Sequence, residues 1–386
     1  MDFRLSDDQL GLMETARDLY RRKLKAMCID TSPETDRSLR LVLAELGMLG
    51  LNLPEQYGGQ GLPMMDTLLM IQAFGECNTF LGNILHRATL GPVAVIAALG
   101  TDEQKERFIR PVCSGTGGFS VGISEPQAGS AATAMTTRAR IEGGEVVVNG
   151  SKTFISHALY TDHTLVYCRF ANTGSAKDIG AVLVPHDAKG FTRSKGFVNM
   201  ADETQFELYF DELRLPLVYV IAQRNAFARL FAVFNTERLS SLFRQLGIAT
   251  AAFNYGVEYS KTRKQFGQPI SDFQGLQWMI ADMRVKLDAA QLLIYRAASN
   301  AAAGLPAPSE ISAAKIYCGQ ALKEVCDDAI QLLGGYGYQK DFPVEKYYRE
   351  VRGSSIYGGT VQIHKNMLAA HVLGRKISQW KKSKSD

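Results

Sequence analysis

The chain has 386 residues, of which 46% are hydrophobic and 21% charged, and its formal net charge is +4. That length predicts two or three packed domains, and the small charge, with both signs interspersed, excludes a nucleic-acid-binding stripe. The basic end Lys381-Lys382-Ser383-Lys384 reads as a frayed, solvated terminus.

Cysteines stand at 28, 77, 113, 168, 318 and 326, without a Cys-x-x-Cys pair or a His partner at metal spacing. Isolated Cys of this kind predict small buried hydrophobes in a reducing compartment, and no metal site. The start Met1-Asp2-Phe3-Arg4-Leu5-Ser6-Asp7-Asp8 carries acids and lacks the apolar stretch of a secretory signal. No apolar run approaches the roughly 20 residues that cross a bilayer. A cytoplasmic protein without membrane insertion is expected.

Residues 1–113 read as helices. Ser6 can cap a first helix whose Leu10, Met13, Ala16 and Leu19 recur at helical spacing. Pro54 to Pro63, with Gly58, Gly59 and Gly61, is a loop, and Thr101-Asp102-Glu103-Gln104 opens another helix with a capping-box pattern.

Over 114–222 the period shifts toward two. Thr137 to Glu142, Gly143-Gly144 and Glu145 to Val148 predict a β-hairpin around a Gly-Gly turn. Leu165 to Phe170, Ile179 to Pro185 and Gln205 to Phe210 are further strands, together predicting a small barrel or sandwich. Over 223–386 the chain is helical again, with long segments near 226–260, 271–301 and 309–333, two of them separated by Gly304-Leu305-Pro306-Ala307-Pro308. The expected fold class is α+β: an N-terminal helical domain, a middle β-domain and a C-terminal helical domain.

Compact catalytic signatures are absent. There is no phosphate loop, no Gly-x-Gly-x-x-Gly after a strand, no Gly-x-Ser-x-Gly elbow and no His-Glu-x-x-His. His157, His163 and His186 in the β zone read as satisfied or exposed side chains. Glu237 differs, because it lies in an apolar helical stretch (Phe227, Leu230, Phe231, Phe234, Leu239, Leu242, Phe243) with Arg238 next to it. Adjacent helical residues point about 100° apart, so this is not a surface pair. From the residues alone, Glu237 is either a bridge to a neighbouring helix or a functional carboxyl.

Five segments carry more information together. They are Ile123-Ser124-Glu125-Pro126-Gln127-Ala128-Gly129-Ser130, Phe234-Asn235-Thr236-Glu237-Arg238, Arg263-Lys264-Gln265-Phe266-Gly267, Gln331 to Gly337, and Ile356-Tyr357-Gly358-Gly359-Thr360. In order and spacing this set resembles the acyl-CoA dehydrogenase flavoprotein family, over essentially the whole chain. The resemblance implies a C-terminal four-helix bundle, bound FAD, an acyl-CoA substrate, an electron-transfer flavoprotein as acceptor, and a homotetramer or homodimer. Most of that family places its catalytic Glu where this chain has Gly358. The isovaleryl-CoA and long-chain branches place it before the Arg of the first C-terminal helix, which is Glu237 here. The resemblance therefore implies a relocated base, oriented by Arg238, with the Gly358 N–H retained for a developing enolate.

By the same resemblance Ile123, Ser124, Phe154 and Ser156 lie along the flavin, Phe154 standing in for a frequent Trp. Arg263, Phe266, Gln274, Gln331 and Gly335 match positions that grip the rest of FAD, largely across a subunit boundary, and Thr360 and Gln362 match another contacting pair. Ser130 and Asn235 match positions that touch CoA.

Three segments depart from the family pattern: Ala222 to Ala226, Gly129-Ser130-Ala131, and Val198 to Asp202. They bear on substrate and redox partner, not on the base. Desulfinase relatives share parts of the pattern but carry Gln in the Glu237 slot, whereas enoyl-CoA reductases share the Glu-Arg pair. Reductase or desulfinase chemistry, a carrier-protein thioester and a non-catalytic partner role stand as alternatives.

Overall fold

In the computed structural model, residues 4–301, 304–375 and 377 are described. Met1 to Phe3 and the basic segment at 381–384 lie outside them.

The N-terminal helices are α1 (Asp7–Leu19), α2 (Pro33–Glu45), α3 (Met64–Cys77), α4 (Thr79–Thr89), α5 (Pro92–Leu99) and α6 (Asp102–Cys113). Both expected caps form. Ser6 Oγ accepts from the Gln9 N–H while the Gln9 side chain accepts from the Ser6 N–H, and Thr101 and Gln104 do the same for α6. Thr79–Leu99, which spans α4 and α5, does reach the length and apolarity of a membrane span, contrary to the expectation above. Leu81, Ile84, Leu85, Val93 and Ile96 in it are core residues, and 83% of the most apolar window is buried inside the protein.

The middle of the chain forms nine strands: β1 (Phe119–Gly122), β2 (Arg138–Glu142), β3 (Glu145–Ile155), β4 (His163–Arg169), β5 (Ile179–Pro185), β6 (Phe191–Arg193), β7 (Phe197–Val198), β8 (Thr204–Pro216) and β9 (Val220–Ala222). The main order is β6-β8-β3-β2-β4-β5-β9, with β1 parallel to β4 and β7 on β8. The Gly143-Gly144 hairpin forms as predicted, with both residues at positive φ, the backbone such a two-residue turn requires. β8 runs six residues beyond the predicted Phe210, because Leu213 and Leu215 return to the inner face after an irregular Glu212 at φ 43°.

The pleat divides β4 between two cores. Val166 and Cys168 join Val146, Val148, Val182, Leu208 and Phe210 inside the β-domain. Leu165 and Tyr167 face the helical core, where the Tyr167 ring meets Phe231 edge-on.

The C-terminal part contains α7 (Phe227–Thr262), a short β10–β11 ribbon (Lys264–Gln265 and Gln268–Pro269), α8 (Gln274–Asn300), α9 (Pro308–Leu333), α10 (Pro343–Arg352) and α11 (Val361–Val372). α9 packs on α7, α8, α10 and α11, and α7 also packs on α3. The long helix α7 thus touches the N-terminal helices, the β-domain and the C-terminal bundle, which puts its side chains where all three meet.

Candidate active site

Glu237 lies near the start of α7 and is partly exposed. Among the described residues no donor bonds its carboxylate. Burial pushes its carboxyl up to about 8, against the opposing charges of Arg238 and Lys315. The buried Tyr167 hydroxyl, with no hydrogen-bond partner among the described residues, lies within range of the Glu237 charge.

Arg238 is 6% exposed and firmly held. Its Nη1 donates to Asn235 Oδ1 at 2.8 Å and its Nε to the Gly358 carbonyl at 2.7 Å, while the guanidinium lies 4.8 Å from the Phe234 ring centre. Burial brings it down to about 10. Asn235 is 3% exposed, and its oxygen is occupied in orienting Arg238.

The loop at 356–360 is clamped through its carbonyls. Lys315, on α9, donates from Nζ to the Tyr357 carbonyl at 2.8 Å. The Gly358 carbonyl accepts from Arg238 and from His364 Nε2, 3.2 Å away. Burial brings His364 down to about 4, so it is neutral, and its Nδ1 accepts from Ser312 Oγ at 3.1 Å. A trans peptide directs its C=O and N–H oppositely, so the Lys315 contact turns the Gly358 N–H away from α9. Gly358 and Gly359 sit at φ 67° and 95°, the left-handed region that favours glycine.

In the β-domain, Ile123 and Ser124 are held from beneath by Lys152. Its ammonium is buried and donates to the Ile123 carbonyl at 3.1 Å and to Glu125 Oε1 at 2.7 Å. Burial opposes the Glu125 charge, but Lys152 and the bonds from Thr136 and Thr137 outweigh it and hold the carboxyl at about 2. Across the adjoining strand end, Phe154 is 61% exposed in a left-handed backbone at φ 58°. Ser156 Oγ donates to Glu203 Oε2 at 3.1 Å, and Ser130 is exposed on its turn.

A second region lies at the other end of α7. Arg263, Gln331, Gly334, Gly335 and Tyr336 line a groove of about 460 Å³. The Arg263 guanidinium lies 5.6 Å from the Tyr336 ring centre. Phe266, in the ribbon beside it, is 94% exposed, and Gln274 opens α8. Thr360 caps α11, with Gln362 in its first turn. From Glu237 to the end of α7 is about 38 Å at the rise of an α-helix. The structure therefore brings Asn235, Arg238 and Gly358 together beside Glu237, and Arg263, Gln331 and Gly335 together in the groove at the far end of α7.

Lys315, His364, Lys152 and Tyr167 escape the sequence reading. Lys315 had a signal, because it interrupts the buried stripe Ile311, Ala314, Cys318 and Leu322 at helical spacing. Burial brings its ammonium down to about 7, with Arg238 acting in the same direction.

Family models match in chain order: the acyl-CoA dehydrogenase N-terminal domain over residues 6–116, the middle domain over 120–213 and the C-terminal domain over 227–373. The chain belongs to the acyl-CoA dehydrogenase family, flavin-dependent oxidoreductases that act on a CH–CH bond. It is 35% identical to a 3-sulfinopropanoyl-CoA desulfinase of Paraburkholderia xenovorans strain LB400, covering 98% of this chain and 99% of the relative. It is 30% identical to the CarC subunit of the caffeyl-CoA reductase-Etf complex of Acetobacterium woodii, covering 95% and 99%. The glutaryl-CoA dehydrogenase solved with glutaryl-CoA superposes with a TM-score of 0.91 at 29% identity, over 99% of both chains.

Proposed function

We propose that this chain is an FAD-dependent acyl-CoA dehydrogenase of the branch whose base lies on the first helix of the C-terminal domain. The observation that carries this is the Glu237 carboxyl: unbonded, raised to about 8, and placed beside a loop whose carbonyls are tied down by Lys315, Arg238 and His364.

An α-proton next to a thioester needs a positioned base and a donor for the developing enolate oxygen. Glu237 takes that proton, with the Arg238 charge beside it favouring the carboxylate, while the Gly358 N–H, fixed by the grip of Lys315 on the preceding carbonyl, faces the thioester oxygen. FAD, when bound, supplies the acceptor for the β-hydrogen, which leaves as hydride. The residues present fit such a group. Lys152 supports the Ile123–Ser124 backbone, Phe154 offers an exposed ring, and the open groove at Arg263, Gln331 and Gly335 combines a cation with a glycine around which a Cβ would meet nothing within 4 Å. Phe266, Gln274, Thr360 and Gln362 complete the cofactor assignments, and Ser130 faces the CoA portion.

The two regions are farther apart along α7 than one extended dinucleotide reaches. We assign the Arg263 groove to the FAD of a second subunit, in a homodimer or homotetramer. Trp278, Val285 and Leu292 support an assembly, since they recur every seven residues on the exposed side of α8 at 62%, 65% and 49% exposure. Electrons pass to an electron-transfer flavoprotein, in keeping with the relative that belongs to an Etf complex. Six free cysteines accord with a reducing, cytoplasmic setting.

The test is the anaerobic visible spectrum of the flavin-loaded protein titrated with acyl-CoAs. Bleaching by one class, lost in Glu237→Gln while flavin stays bound, is the expected result. Turnover of 3-sulfinopropanoyl-CoA that persists in Glu237→Gln favours desulfination, and overturns this assignment.

A further inference from the structure

Arg244 lies seven residues beyond Glu237 on α7, which places it about 10 Å further along the helix and within about 20° of the same face. It is 8% exposed. Its stem is gripped by two neighbouring helices, because Cβ atoms on Gly75 of α3 and Gly82 of α4 would stand 3.3 and 3.4 Å from Arg244 Cγ. Tyr357 spans the same interval from the other side. Its carbonyl is held by Lys315 at the Gly358 end, and its hydroxyl accepts from Gln245 Nε2 and, at 3.4 Å, from Arg244 Nη2.

At this end several hydrogen-bonding groups are left over. Among the described residues Arg244 Nε and Gln245 Oε1 are buried without partners, and Gln245 is wholly buried. The Tyr357 hydroxyl, accepting from two sides, keeps its own proton to donate. A buried donor and acceptor left unmade cost stability, so a bound group that satisfies both is strongly favoured over one that satisfies neither.

From this geometry we propose that Arg244, Gln245 and Tyr357 form the far wall of the acyl site and select a short acyl group ending in a neutral hydrogen-bonding group, a hydroxyl or a carboxamide. The inference rests on the dehydrogenase reading above, which fixes the thioester at Gly358 and the α-carbon at Glu237. Two turns of α7, about 10 Å, then separate the α-carbon from Arg244 and bound the length of the acyl chain. Neutrality follows from the surrounding charges. Arg244 Nη1 is 3.3 Å from Glu350 Oε2, and the ionised Glu203 also lies within range of its charge. A carboxylate tip would meet those acids and, as an acceptor only, would leave Gln245 Oε1 unbonded. A hydroxyl accepts from Arg244 Nε and donates to Gln245 Oε1.

The experiment compares valeryl-, 5-hydroxyvaleryl-, glutaryl- and octanoyl-CoA with the flavin-loaded protein in two readouts. Flavin bleaching is followed in the wild type, and binding is followed by calorimetry in Glu237→Gln, which needs no turnover. The expected result is that 5-hydroxyvaleryl-CoA binds roughly tenfold or more tighter than valeryl-CoA, since a site built around polar groups rejects the analogue lacking its partner. Arg244→Met should bring that ratio close to one while flavin content stays unchanged. Gln245→Leu is a second variant that should reduce the same ratio if Arg244→Met does not fold. Equal binding of valeryl- and 5-hydroxyvaleryl-CoA, or best binding by octanoyl-CoA, overturns the proposal. Tightest binding by glutaryl-CoA overturns its neutral character. Bleaching without the preference removes this inference and leaves the dehydrogenase reading intact. The preference without any bleaching removes the dehydrogenase reading and leaves the polar wall.

Discussion

Arg238 and Gly358 are 120 residues apart, yet Arg238 Nε donates to the Gly358 carbonyl at 2.7 Å. One hydrogen bond thus ties the residue beside the proposed base to the loop proposed to hold the thioester. Motion of either element changes both halves of the site together, and the first consequences to test concern the base.

Glu237→Gln should lower turnover by about 10²- to 10⁴-fold, the range for losing a positioned base, with little effect on flavin binding. Stopped-flow reduction of the flavin under anaerobic conditions measures it.

The raised acidity constant of Glu237 has opposite consequences for rate and stability. The rate of flavin reduction should rise with pH through about 8, as the carboxylate forms. Stability should move the other way. Between 4.5 and about 8 the folded state keeps a proton that the unfolded state has lost, so the wild type loses stability relative to Glu237→Gln as pH rises. Below 4.5 this difference vanishes. Thermal unfolding of both proteins across that range checks the sign.

Lys315→Met should free the Tyr357 carbonyl and misalign the Gly358 N–H. A fall of about tenfold to a hundredfold in kcat, with KM changed less, is expected for a weakened oxyanion donor. A purely structural role would lower Tm without separating kcat from KM.

Removing Lys152 alone should be costly, because Glu125 would stay buried without its counter-charge. Lys152→Met should destabilise the protein by about 3–5 kcal/mol. The double change with Glu125→Gln should recover part of that loss in denaturant titrations. Weaker flavin retention should accompany the single variant, since Lys152 also holds the Ile123 carbonyl.

Gly358→Ala has room, with the new Cβ 3.5 Å from Lys315 Nζ and 3.6 Å from Arg238 Cγ, but sits at φ 67°. The backbone penalty should be about 1–2 kcal/mol. Its effect on turnover should stay small if the N–H keeps its direction, which single-turnover kinetics can read.

Local chemistry made much of the fold legible. The capping boxes at Ser6 and Thr101, the Gly143-Gly144 hairpin and the three long C-terminal helices depend on neighbours in sequence, and a linear reading reaches them. Strand β1 and the short β6, β7 and β9 were not legible, because they are ordered by partners far along the chain. The outward extension of β8 was missed because alternation resumes only after the irregular Glu212.

The sequence by itself determined the domain order, the family resemblance and the presence of Gly358 together with Glu237, the carboxyl proposed as the base. Those are matters of residue type and spacing, which a chain carries whatever its shape. Only the tertiary structure decided the electrical setting of that carboxyl. Lys315, Tyr167 and Arg238 reach its surroundings from α9, β4 and α7, and burial among them moves its proton affinity to about 8. Desolvation and charge act through space, so no local pattern records them. The same holds for Asn235, whose side chain turned out to hold Arg238, and for Arg244, whose unbonded Nε is apparent only once Gly75, Gly82 and Tyr357 close around it.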